Sequence, residues 1–230
     1  MAQIFISHSK EDNRLKSFFE RAFAGTKVRA VFVEYERYEP PAAAFIQRQI
    51  NESKAMFLLL GKNVEKLSHT KIWVGSEAGV AQQANRDIWV FEPNQDGGDV
   101  PVPFVSHYVP FVESDQALQY LKEIINSYDD SAALEAFVRG GGLGAAAGAV
   151  LSQEKDKGGA ALIGALVGGV FETVRTDPAR ARPVGLPVTC GSLTCRSTFR
   201  VHGVPDVFRC PVCRGWLRVN WDLKPGVQLS

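Results

Sequence analysis

Ile4-Phe5-Ile6-Ser7-His8-Ser9-Lys10-Glu11-Asp12 is an apolar run that passes at once into small polar residues and an acid. Leu15, Phe18, Phe19 and Ala22 follow at helical spacing. This pattern predicts a buried strand, Gln3–Ile6, leading directly into an amphipathic helix over Asp12–Ala24. Ser9 and Asp12 are both suited to cap that helix, whose first backbone N–H groups have no partner inside it. Open α/β sheets collect their ligands at the C-terminal ends of parallel strands, so Ser7 and His8 stand at the edge of an expected site.

The alternation of strand and helix continues to about residue 127. Val28–Val33 reads as a second strand, and the loop Glu34–Pro41 leads to a helix near Ala42–Glu52. Ala55–Leu60 is apolar at every position, the pattern of a central parallel strand covered on both faces, and Gly61 closes it. A helix near Lys71–Asn85 precedes the strand Asp87–Phe91. After a Pro/Gly/Asp-rich loop at 93–103 come a last strand, Tyr108–Val112, and a last helix, Gln116–Asn126. The expected fold class is α/β, a doubly wound sheet of four or five parallel strands.

At 230 residues, 45% hydrophobic and 22% charged, the chain is long enough for one or two true cores. Its 26 Lys and Arg nearly cancel 25 Asp and Glu, so no global field draws it to nucleic acid or acidic lipid. The first residues lack the basic and apolar regions of a secretory signal, and all four cysteines fall between Cys190 and Cys213. Both features lead to the expectation of a cytoplasmic protein with one local metal site, not a disulfide framework.

Phe5-Ile6-Ser7-His8-Ser9 with Asp12, the loop after the second strand, and Trp73-Val74-Gly75-Ser76-Glu77 together resemble the Toll/interleukin-1 receptor (TIR) domain over residues 1–127. The likeness is to the prokaryotic TIR proteins, many of which act on NAD, and it implies a flavodoxin-like parallel sheet. By motif matching the resemblance implies that Glu77 is the catalytic carboxylate of an NAD+ glycohydrolase in prokaryotic defence signalling. Ser7, His8, Ser9, Asp12, Tyr35 and Trp73 would then line or cover the substrate pocket. The chemistry suits one carboxylate: nicotinamide departs neutral, and the oxocarbenium-like ribose left behind is stabilised by a nearby negative charge. Other TIR domains, as copies of this chain, are the implied assembly partners. Gly61–Ser68 departs from the Ser-rich turn that many family members carry there, which leaves the product open between ADP-ribose and a cyclised form. The alternative function is a non-catalytic TIR scaffold.

Composition shifts after Asp130. Gly140, Gly144 and Gly148 recur every four residues, as do Ala160, Gly164 and Gly168, and such faces let helices approach closely. Residues 131–175 are expected to form a Gly/Ala-rich hairpin with legs Ala132–Leu151 and Gly158–Val174. Its uncharged runs, Gly140–Gln153 and Gly158–Phe171, are 14 residues each. A bilayer span takes roughly 20. Membrane association through 132–174, self-association without a bilayer, and a linker are the three readings.

Cys190-x4-Cys195 and Cys210-x2-Cys213 supply four thiolates for one tetrahedral Zn²⁺ and predict a zinc-ribbon-like module over 186–230. Four thiolates close the coordination sphere, so the metal is structural, and His202 is not expected to be a ligand. Arg196, Arg200, Arg209, Arg214, Arg218 and Trp216 give the module a basic, partly aromatic character, with nucleic acid the less favoured partner beside protein recognition or assembly. His69 and His107 are assigned no role.

Overall fold

The structure is a computed structural model describing residues 1–33, 42–64, 68–94, 98–129, 185–203 and 207–218. In its first part, β1 (Gln3–Ser7), β2 (Arg29–Phe32), β3 (Ala55–Leu59), β4 (Asp87–Pro93) and β5 (His107–Phe111) alternate with α1 (Asn13–Phe23), α2 (Ala42–Glu52), α3 (Ser68–Gln83) and α4 (Asp115–Asn126). The observed ends differ from the expected ones by at most three residues. All pairings among these five strands are parallel, in the order β2-β1-β3-β4-β5, which is compatible with a flavodoxin-like fold.

Each helix is placed by its apolar stripe. Leu15, Phe18, Phe19, Ala22 and Phe23 of α1 are buried, with Phe18 stacked on Phe111 at 5.7 Å and Phe19 edge-on to Phe91 at 5.0 Å. α4 opens on Ser114, whose hydroxyl accepts from the Ala117 N–H at 3.1 Å, and buries Tyr120, Leu121, Ile124 and Ile125 in the same layer. On the opposite face, Ile46 and Ile50 of α2 and Val74, Ala78 and Ala81 of α3 pack on Phe5, Met56, Leu58 and Val90.

That second face is short of a helix. The described residues between β4 and β5, Asn94 and 98–106, form none, although Val100, Val102 and Val105 reach the core. The gap over β4 and β5 is filled from the far end of the chain. β7 (Thr198–Val201) pairs in parallel with β5, aligning His107 with Arg200 and Tyr108 with Val201. β6 (Leu186–Thr189) pairs antiparallel with β7 to complete a seven-stranded sheet, and β8 (Val207–Arg209) with β9 (Trp216–Arg218) forms a separate hairpin. Val188, Phe199, Val201, Phe208 and Leu217 join the core cluster of Ile88, Val90 and Tyr108. A module this small has no second layer of its own on which to bury those side chains, so they pack on the sheet.

Two buried polar joints hold the module there. Arg214, at φ +62°, forms a two-pronged ion pair with Glu92 at 2.6 and 3.1 Å, while Tyr108 donates to Glu92 Oε2 at 2.7 Å. On the other face, His107 Nδ1 lies 2.8 Å from His202 Nε2, whose ring Nδ1 lies 2.7 Å from the Tyr120 hydroxyl, and Trp89 stacks on His107 at 3.9 Å. Burial first, then the charge of Arg200, pushes His107 down to about 3, so the ring stays neutral at physiological pH.

Among the described residues no helix is long and apolar enough to cross a membrane. The expected Gly/Ala hairpin at 131–175 lies outside the described residues. Removing one partner of a buried ion pair strands the other, so Arg214→Met should cost about 3–5 kcal/mol in urea unfolding. The double variant Glu92→Met/Arg214→Met should recover much of that loss. Equal, small effects of the single and double changes would show that the module is not anchored through this pair.

Candidate functional site

The strand order reverses direction at β1 and β3, and their C-terminal ends meet there, with Ser7 of β1 aligned with Leu58 of β3. Open α/β sheets leave a crevice at this switch point. α3 runs past it and delivers Glu77. The Ser7 hydroxyl donates to Glu77 Oε2 at 2.5 Å, and Glu77 is only 2% exposed. Its Oε1 is buried with no hydrogen-bond partner among the described residues. Burial pushes the carboxyl up to about 8, against the smaller, opposing effect of the Ser7 hydrogen bond. At neutral pH the group is therefore mostly protonated, a state ordinary surface glutamates do not reach.

Ser7, His8 and Ser9 line a small cavity with Leu58, Val64 and Trp73. It holds about 10 Å³, room for about one water, and Glu77 stands behind Ser7, not in its wall. The half-buried Trp73 sits one helical turn before Glu77. His8 is buried and meets Phe32 edge-on at 5.5 Å. Asp12 stands at the start of α1. It occupies the N-cap position of α1 without capping it, and its Oδ1 accepts from Asn63 Nδ2 at 2.6 Å. A Cβ at Gly61 would overlap the Asp12 carboxylate. Asp12 thus ties the β1–α1 turn to the β3–α3 turn, and Gly61 makes room for the tie. Tyr35 lies outside the described residues.

A second constellation is the four cysteines. Cys190 and Cys213 sulfurs lie 3.7 Å apart, those of Cys195 and Cys210 3.9 Å apart, and all four lie within 4.8 Å of one another. A tetrahedral zinc with Zn–S bonds of about 2.3 Å sets S–S edges of about 3.8 Å, so the donor set fits one such ion. The two knuckles turn alike: the residue after each second cysteine, Arg196 and Arg214, is left-handed, at φ +46° and +62°.

Sequence reasoning missed the residues that join module to sheet: Glu92, Tyr108, Arg214, His107, His202 and Tyr120. The available signal was Glu92, a lone acid ending the apolar strand Ile88-Trp89-Val90-Phe91. Comparison of the chain with protein-family models, curated proteins and solved structures finds no match.

Glu77 yields a signed stability prediction. Its folded pKa is raised, so its contribution is intact below about pH 4.5 and lost as pH rises through about 8. Replacing it removes that penalty: at pH 7 Glu77→Gln should be more stable than wild type in urea by up to about 3 kcal/mol, with the advantage gone near pH 4. A variant destabilised at both pH values would show a conventional structural glutamate. For the cysteines, we expect one zinc per chain by elemental analysis. Chelation should loosen β4 and β5 as well as the module, read as faster amide exchange there; protection unchanged in those strands would contradict the shared core.

Proposed function

We propose that the chain is an NAD+ glycohydrolase on a TIR-like domain, acting as an effector in prokaryotic defence signalling. The observation that supports it most is the Ser7–Glu77 pair: a buried carboxyl, costly to the fold, at the switch point where such sheets bind ligands. A structural role would be served as well by a neutral side chain.

In the proposed reaction the bond between ribose C1′ and the nicotinamide nitrogen breaks, and its electron pair leaves with the ring, which becomes neutral nicotinamide. The positive charge passes to the ribose as an oxocarbenium-like centre. Glu77 stabilises that centre as a carboxylate, Ser7 orients the carboxylate, and water adds to C1′ while losing a proton to Glu77. Attack by a ring nitrogen of the adenine instead of water would give a cyclised product. The substrate's own cationic ring favours ionised Glu77, so binding supplies part of the pKa change that catalysis needs. The thiolate-bound zinc would supply structure alone.

A cavity of about 10 Å³ admits no dinucleotide, so the reading requires the crevice to open. Clustering of TIR domains, other copies of this chain among them, is the proposed trigger, with residues 131–175 as the clustering or membrane-associated element. The small size of the cavity also favours the second reading, a non-catalytic TIR scaffold, which needs no substrate pocket.

Nicotinamide release from NAD+ separates the two. Wild-type protein, clustered if necessary, should release nicotinamide, and Glu77→Ala should lose about 100-fold or more in kcat. The kcat/KM profile should rise toward pH 8, following free Glu77, with the kcat limb displaced to lower pH by the bound cation. Release that survives the substitution sinks the site assignment, and no release from clustered wild type supports the scaffold.

A further inference from the structure

The arginines of the C-terminal module divide into two sets. Arg214 is buried on Glu92, and Arg200 is turned to the Gly185 carbonyl at 3.1 Å. In the β8–β9 hairpin, alternation sends Phe208 and Leu217 into the core, and Val207, Arg209, Trp216 and Arg218 to the outer face. There Trp216 is 60% exposed, an unusual position for so large an apolar ring. The guanidinium of Arg209 lies over its ring at 4.8 Å and is held in place by Asp99 at 2.7 Å and the Gly98 carbonyl at 3.3 Å. The indole is therefore fixed on one side by an anchored cation. Arg218, opposite Val207 across the hairpin, is exposed on the same face.

From this geometry we infer that the outer face of β8–β9 is a binding platform for single-stranded nucleic acid, with Trp216 stacking a base and Arg209 and Arg218 meeting the backbone. Charge favours that occupant. Arg218 has no ion-pair partner among the described residues, and Arg209, though paired with Asp99, keeps its guanidinium over the indole at 4.8 Å. The outer face thus sets the Arg218 cation beside an exposed aromatic ring, the two elements of sequence-tolerant single-strand binding. An apolar protein partner would leave Arg218 to be desolvated without compensation, whereas a phosphate pairs with it. Rigidity favours it too: metal knuckle, Phe208, Leu217 and Asp99 all fix the platform before any ligand arrives.

The test is fluorescence anisotropy of labelled 20-nucleotide oligo(dT) and oligo(U) with the full-length, zinc-loaded protein. Wild type should bind both at 50 mM salt, more tightly than a duplex of equal length. Trp216→Ala should weaken binding about 5- to 100-fold while Trp216→Phe, which keeps a stacking face, retains most of it. Arg218→Glu should flatten the dependence of log K on log salt by about 0.7 or more. Glu77→Gln should bind as wild type does, so this result is independent of NAD cleavage. No binding at 50 mM salt, or equal binding by Trp216→Ala with its zinc intact, overturns the platform.

Discussion

The Glu92–Arg214 ion pair joins two parts of the chain that are more than a hundred residues apart, and the rest of the architecture depends on that junction. A pair this deeply buried adds little net stability, because desolvating two charges offsets most of their attraction. What it contributes is specificity. Glu92 ends up in a fully buried site at the end of β4, where Arg214 and the Tyr108 hydroxyl satisfy it. Only one docking of the cysteine module brings Arg214 there. Once docked, the module covers Ile88, Val90 and Tyr108, the stretch of sheet that a β4–β5 helix would otherwise protect. A metal held by the four cysteines would act at the same place, since the knuckle of Cys210 and Cys213 leads into the left-handed Arg214.

The first five strands and four helices were legible because their signals are local. Ala55–Leu59 could only be a central strand, and Phe18, Phe19 and Ala22 fixed the inner face of α1. The cysteine cluster was equally legible, since metal-ligand spacing is short-range in sequence. The attachment of the module to the sheet was not. Phe199-Arg200-Val201 announces a strand with one apolar face, but nothing in it says which surface that face will cover. His107 and His202 each look like isolated histidines until parallel pairing of β5 with β7 brings their rings together. The family resemblance puts Asp12 at the pocket; its contact with Asn63 depends on how two loops distant in sequence approach each other.

Around the candidate site, the Ser7–Glu77 pair sits where the fold accepts a penalty. At Glu92, by contrast, buried charge is matched by charge. Glu77 has one hydroxyl and no cation at hydrogen-bond distance among the described residues, and its carboxyl responds by holding its proton. A cationic substrate ring would provide the missing countercharge, which makes ligand binding and ionisation of Glu77 one linked event.

That linkage is directly measurable. With glutamate side-chain carboxyls labelled with ¹³C and Glu77→Gln used for assignment, the Glu77 resonance can be followed through a pH titration with and without NAD+. The account predicts a midpoint near pH 8 for the free protein and a downward shift of that midpoint when NAD+ binds. A midpoint near the ordinary glutamate value of about 4.3, unmoved by NAD+, would contradict it.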